Sequence, residues 1–187
     1  MAHRFPEDPH SLPSAPLGRR LAAMLYDGML CLAMLIVVTG LYTLVTQQLI
    51  NAGLVPERAG NVMEASEIGF NPVLFLLLFG SVFWFFGYFW TRTGQTIGMQ
   101  TWLIRVQNAD GSRITLLQVF MRLLLGIASW LAVGIGYIWV LFDKNKLTWT
   151  DRFSDSVTVR IPTPEGRKSK KQKAREKAAR EASEKTS

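Results

Sequence analysis

Asp27 is the one charged residue in the apolar run 21–45, LAAMLYDGMLCLAMLIVVTGLYTLV. An Asp at the centre of a membrane helix costs about 2.5–3.5 kcal/mol on insertion scales, so such a residue faces protein and has a partner. A carboxylate placed there can fix helix packing, or it can hold a cation or relay a proton. Arg20 stands seven residues earlier, just under two helical turns, so both side chains lie near one face. They are separated by about 10 Å along the axis, too far for direct contact. The partner must come from elsewhere in the chain, and Arg122, about one turn inside a later apolar run, is a candidate.

Other chemistry is sparse. His3 and His10 both lie in the polar N-terminal stretch, which leaves the body of the chain without imidazole. A His-based metal site or a Ser-His-Asp triad in the core is excluded, and no substitute metal cluster stands out. Cys31 is the only cysteine and sits inside an apolar run, so no intrachain disulfide can form. Asp27 and Asp151 lack the Gly-x-Gly-Asp context of intramembrane aspartyl proteases. No nucleophile–base pair is found, so no enzyme activity and no cofactor is expected.

The elements that must position these residues are three apolar runs. A crossing helix needs about 20 apolar residues for a hydrocarbon core of roughly 30 Å. Run 21–45 suffices, and its length and internal Asp argue against a cleaved signal peptide. Run 72–90 follows Asn71 with Pro72 in the first helical turn, and ends in Trp84, Tyr88 and Trp90, an interfacial aromatic belt. Run 116–142 is interrupted by Arg122, Gly126, Gly134 and Gly136. A soluble domain could share the 49% hydrophobic content and the net charge of +7. The segregation of apolar runs from charges is what marks an integral membrane protein.

Basic residues set the orientation, because cytoplasmic loops are enriched in Lys and Arg. Arg4, Arg19 and Arg20 precede the first run, and Arg92, Arg105 and Arg113 follow the second. Between them Arg58 is outweighed by Glu57, Glu64 and Glu67. A single third crossing would strand Lys144, Lys146, Arg152, Arg160 and the nine basic residues of the tail on the outer side. A return resolves this. The expected pair is a helix over 116–131 and a second over 135–142, with the bend at Gly134-Ile-Gly136 and protein burying the break. Both termini would then be cytoplasmic, in a cell membrane of the bacterial inner or plasma type.

The segment 91–115 reads as a strand over 102–107, a turn at Asn108-Ala-Asp-Gly111, and a short second strand. Residues 156–161 are rich in β-branched types and could add a third. An isolated two-stranded hairpin is marginal, so pairing by 156–161 is expected. From Gly166 onward the tail has no large apolar residue and reads as solvated or disordered. It can serve as a topology signal or attract anionic lipid, at about 1 kcal/mol per Lys or Arg near the surface. It has no interleaved aromatics for base stacking, so nucleic acid is not an expected partner.

Four segments, in order, resemble the RDD family of membrane proteins. Gly18-Arg-Arg-Leu-Ala-Ala-Met-Leu-Tyr-Asp27 is similar to the family's opening, with Arg20 as its Arg by spacing (Arg19 is adjacent) and Asp27 as its first Asp. Gly94-Gln-Thr96-Ile-Gly98 resembles its G-x-T-x-G segment, Ile104-Arg-Val-Gln-Asn-Ala-Asp-Gly111 its strand and turn, and Thr148-Trp-Thr-Asp151-Arg152 its closing segment with the second Asp. Met99 stands where the family often has Lys or Arg, and Thr150 where it often has His. The resemblance implies one buried polar cluster of Arg20, Asp27 and Asp151, a close-approaching loop at 94–98, and transport of a small ligand or a cation/proton exchange.

The expectation is an all-α membrane bundle with two full transmembrane helices, a helical hairpin, and a small cytosolic β-hairpin or three-stranded sheet. Its parts are a polar segment 1–17, a membrane domain 18–161 and a basic tail 162–187. The lipid bilayer is the first partner, and homo-oligomerisation is expected because so few helices seldom enclose a pathway. The alternative is a non-catalytic scaffold that binds partners or anionic lipid through its strands and tail.

Overall fold

The computed structural model describes residues 4–56 and 71–163. The acidic loop and the basic tail of the expected topology therefore lie outside the described residues. The described residues are mostly helical, and two helices among them are long and apolar enough to cross a membrane: α1, Leu17–Asn51, and α2, Pro72–Arg92. At 1.5 Å per residue, α1 is about 52 Å long, well beyond a hydrocarbon core of roughly 30 Å. It is longer than its apolar run because Arg19-Arg20 and Thr46-Gln-Gln are compatible with a helix and no proline interrupts either end after Pro16. Pro72 opens α2, and the Asn71 side chain caps it by accepting from the Val73 and Leu74 amides, each at 3.1 Å. The same Asn71 donates to the Tyr42 hydroxyl at 2.7 Å, joining α1 and α2 far from the chain's start.

The other described elements gather at the opposite end, where α1 begins and α2 ends, apart from the later helices over 116–131 and 135–138, which reach back along these two. A five-residue helix α3, Ile97–Thr101, leads into β1, Ile104–Gln107. After a turn at 108–111 the chain enters α4, Leu116–Leu131, through a capping box of Thr115 and Gln118. A break follows, with Val133 at φ 54° and Gly134 at φ 77°. Then α5, Ile135–Ile138, continues as a 3-10 turn over Trp139–Leu141. The two parts of this run meet at 108°. A last short helix α6, Trp149–Phe153, precedes β2, Val157–Arg160.

The third apolar run therefore folds back instead of running straight. Gln118 at the start of α4 donates to the Ser154 carbonyl at 2.9 Å, and Trp139 packs at a tilt against Trp149 with ring centroids 6.3 Å apart. Both ends of the run thus meet at the same end of the bundle. A Cβ at Gly136 would overlap Ser129, so glycine is what lets α5 lie against α4. At about 24 Å, α4 is shorter than a hydrocarbon core.

The sheet has two strands. β1 pairs antiparallel with β2, from Ile104 opposite Arg160 to Gln107 opposite Val157. The expected hairpin across the Asp-Gly turn is corrected: residues 112–115 form no strand paired to β1. The turn is present, with the Asn108 amide donating to Ser112 O at 2.9 Å, but Thr115 is taken as the cap of α4, which leaves no room to extend. The N-terminal segment 4–16, expected as a separate polar stretch, is bonded to the sheet end. Ser14 bridges Val159, the Arg160 amide donates to Pro13 O at 2.8 Å, and Ala15 donates to Thr158 O at 2.9 Å. Phe5 lies under Arg105, 4.0 Å from the guanidinium carbon to the ring centre, while Glu7 pairs with Arg105 at 2.8 Å. The free side of β1 is also occupied, since Val106 donates to Gly94 O at 2.8 Å and Gln95 donates to Ile104 O at 2.7 Å. A small core of Ala15, Ala23, Trp90, Met99, Ile104, Val106, Ile114 and Val119 ties the sheet to the helices.

Candidate functional site

The first turns of α1 carry Arg20, Ala23 and Asp27 on one buried face, at the spacing a helix demands. α3 crosses this face. The Thr96 hydroxyl donates to one Asp27 oxygen, and the Gly98 amide donates to the other at 2.9 Å. Thr96 is also the N-cap of α3, accepting from the Met99 amide at 3.3 Å. A Cβ on Gly98 would come within 2.5 Å of the Ala23 carbonyl oxygen and 2.9 Å of an Asp27 oxygen. Gly94 has φ 69°, and its Cβ would sit 2.6 Å from the Val106 carbonyl. Each residue of the 94–98 pattern therefore has a physical reason: a left-handed turn against β1, a cap that also reaches α1, and a close backbone approach.

Arg20 points the other way, toward α6. Its guanidinium pairs with Asp151 and also donates to Ala15 O at 2.9 Å and Thr158 O at 3.2 Å. Arg122 from α4 pairs with the second oxygen of Asp151 at 2.9 Å and donates to Ser156 and, at 3.1 Å, to Thr158. Asp151 is fully enclosed. It also accepts from the Thr158 hydroxyl at 2.8 Å and closes the capping box of α6 through the Thr148 amide at 3.3 Å. Burial pushes its carboxyl up, but the charges of Arg122 and then Arg20 outweigh this and hold it down to about 2. Two guanidinium groups thus share one carboxylate, and Arg122 also lies over the Trp90 ring at 5.4 Å.

The polar residues form two clusters, not one. Arg20 and Asp151 are joined, but Asp27 belongs with Thr96 and Gly98, and Arg122 pairs with Asp151 and not with Asp27. The reason is the seven-residue spacing that keeps Arg20 and Asp27 apart on α1. Arg19 turns aside and donates to Trp102 O at 2.7 Å. Met99 has its sulfur against the Trp90 ring nitrogen at 3.3 Å, and Thr150 shares a 2.8 Å hydrogen bond with Thr148, so neither position carries a basic group here. Thr148, Ser156 and Thr158 were missed as members of the site. The Thr148-x-x-Asp151 spacing of a capping box was the available signal.

Both clusters border one cavity of about 450 Å³ between α1, α2, α4 and α5. Arg20, Asp27, Arg122, Thr148 and Thr150 line it toward the sheet end. Cys31, Val82, Ile127 and Trp130 line it farther along the helices. The size falls within the roughly 300–1,000 Å³ of ligand pockets, which are mostly apolar with a few placed polar groups. Among the described residues no group of three or more His, Cys, Asp or Glu could hold a metal ion.

The family model described as "RDD family" matches residues 14–155. Neither a curated protein nor a solved structure matches the chain.

Proposed function

This chain belongs to the RDD family, and from that premise we propose that it is a multi-pass cell-membrane protein that holds a small ligand within its helices, as a transporter or ligand-handling protein does. The observation that carries this reading is the apolar cavity set against the Arg20–Asp151–Arg122 cluster. A buried ionic cluster alone is weak evidence for function, because such groups also fix packing. A cluster that forms one end of a ligand-sized cavity gives the ligand a polar anchor. The scaffold alternative has less support from the strands, since both edges of the sheet are already bonded within the chain. Gly28 lines the cavity, and a Cβ there meets nothing within 4 Å. Gly28→Leu should therefore narrow the space, its first carbon meeting no neighbour, and on a helix it replaces a poor former with a good one. Native mass spectrometry of the purified protein should show a bound small molecule in wild type and its loss in Gly28→Leu. Equal occupancy in both would count against the reading.

Orientation is part of the proposal. Arg19, Arg92, Arg113, Lys144 and Arg152 all lie at the sheet end, and the positive-inside rule supports placing that end in the cytoplasm. Lys144 is exposed there. In a Cys31→Ser background, Lys144→Cys should resist an impermeant maleimide added to intact cells and react after permeabilisation. Labelling in intact cells would reverse the assignment.

A further inference from the structure

We infer that the cavity takes an oxyanion-headed amphiphile, a single apolar chain ending in a carboxylate or phosphate, with the head at Arg122. This deepens the cavity reading above and rests on it. Arg122 is 6% exposed and lines the cavity. Its two terminal nitrogens are engaged by Asp151, Ser156 and Thr158, but its Nε has no acceptor among the described residues. A buried guanidinium N–H without an acceptor is costly; the Nε is closed off from the cavity as the side chain stands, and a turn of the Arg122 side chain toward a ligand oxygen would relieve it. The charge favours an anion locally: at the Arg122 end Arg20 and Arg122 contribute two positive charges against the one of Asp151, while the charge of Asp27 belongs to the separate Thr96–Gly98 cluster. Asp27, the other carboxylate on the lining, has both oxygens occupied by Thr96 and Gly98.

The remaining wall explains the chain. From Arg122 the cavity runs along α4 past Leu123 to Ile127 and Trp130, with Val82 and Phe86 of α2 opposite. These side chains offer no hydrogen bonds apart from the indole N–H, and the Tyr137 hydroxyl beside Gly126 is the other polar group on this stretch. A polar metabolite would leave its groups unpaired against them, at a cost of about 1–3 kcal/mol each. A molecule with a charged head and an apolar chain matches both ends at once.

The test is binding of palmitate and of hexadecanol, which has the same chain without the charge, to the full-length protein in neutral detergent by native mass spectrometry. Wild type should prefer palmitate by roughly tenfold or more. Gly28→Leu should lose that binding, and Arg122→Lys, which keeps the charge for Asp151 but removes the Nε–H, should narrow the preference. Lysophosphatidylglycerol, one apolar chain on a phosphate head, is added as a competitor. Displacement names lipid phosphate as the source and no displacement confines it to free carboxylates, and either result supports the oxyanion assignment. Equal binding of palmitate and hexadecanol, both lost in Gly28→Leu, would overturn the oxyanion assignment and leave the cavity reading standing. Binding indifferent to Gly28→Leu would overturn both.

Discussion

Asp151→Asn should abolish accumulation of folded protein, or lower its stability by about 3–5 kcal/mol, because it leaves two buried guanidinium groups without their counter-charge. That is a large share of the about 5–15 kcal/mol that holds a typical domain together. The amide can still accept hydrogen bonds but cannot balance Arg20 and Arg122, which sit on different elements and meet at this carboxylate and at Thr158. The measurement is folded yield by size-exclusion chromatography in detergent, followed by thermal unfolding of whatever remains. Recovery of wild-type stability would show that the cluster is not the joint between α1, α4 and α6. Acid should act on the same group. Its folded pKa lies near 2, below the ordinary 3.8, so the unfolded chain takes up the proton first. The stabilisation is complete above about pH 4 and is lost as the pH falls through about 2. Unfolding followed between pH 7 and 4 should show no step from this group.

Gly98→Val should be nearly as damaging, for a steric reason. Even the first added carbon would approach the Ala23 carbonyl to 2.5 Å, and that neighbour is helix backbone that cannot swing away. α3 would have to lift from α1, breaking the Gly98 and Thr96 hydrogen bonds that satisfy Asp27. Overpacking costs about 1–3 kcal/mol, and a lost hydrogen bond to a charged group about 1.5–3 kcal/mol more. Asp27→Asn is the informative contrast. Its amide oxygen can keep the Gly98 N–H and its amide nitrogen can donate to the Thr96 hydroxyl, so its stability should stay within about 1 kcal/mol of wild type. A change in cation or proton flux in proteoliposomes with a stable Asp27→Asn would then report on the carboxylate's charge, and not on collapse of the fold. A stable Gly98→Val would mean that α3 does not seat on α1 as described.

Local rules made much of this chain legible. Arg20, Ala23 and Asp27 share a face because a helix repeats every 3.6 residues, whatever surrounds it. Apolar length alone marked α1 and α2, and the Asn71-Pro72 entry to α2 is a property of two adjacent residues. That the third run would bend was expected from a balance of basic residues. Its break near Gly134 followed from the one residue type that adopts a left-handed backbone without strain. The pairing of 156–161 with β1 was legible as a need, since a lone hairpin is marginal.

Partnership was not legible in the same way. Arg122 and Asp151 are 29 positions apart, and Arg20 and Asp151 131 apart. Whether such groups meet depends on where α1, α4 and α6 cross, a sum of many packing contacts that no spacing encodes. Asp27 announced that it needed a partner but not which one. That was decided when α3, five residues long, found in Gly98 and Ala23 two side chains small enough to let its amide reach the carboxylate. The cavity is of the same kind, because a space is defined by the four helices that do not fill it. Hydropathy could show that Asp27 would be buried in a bilayer. It took the packing of the folded chain to show that Asp27 is held by hydrogen bonds and that the paired charges lie one face-length away, at Arg20.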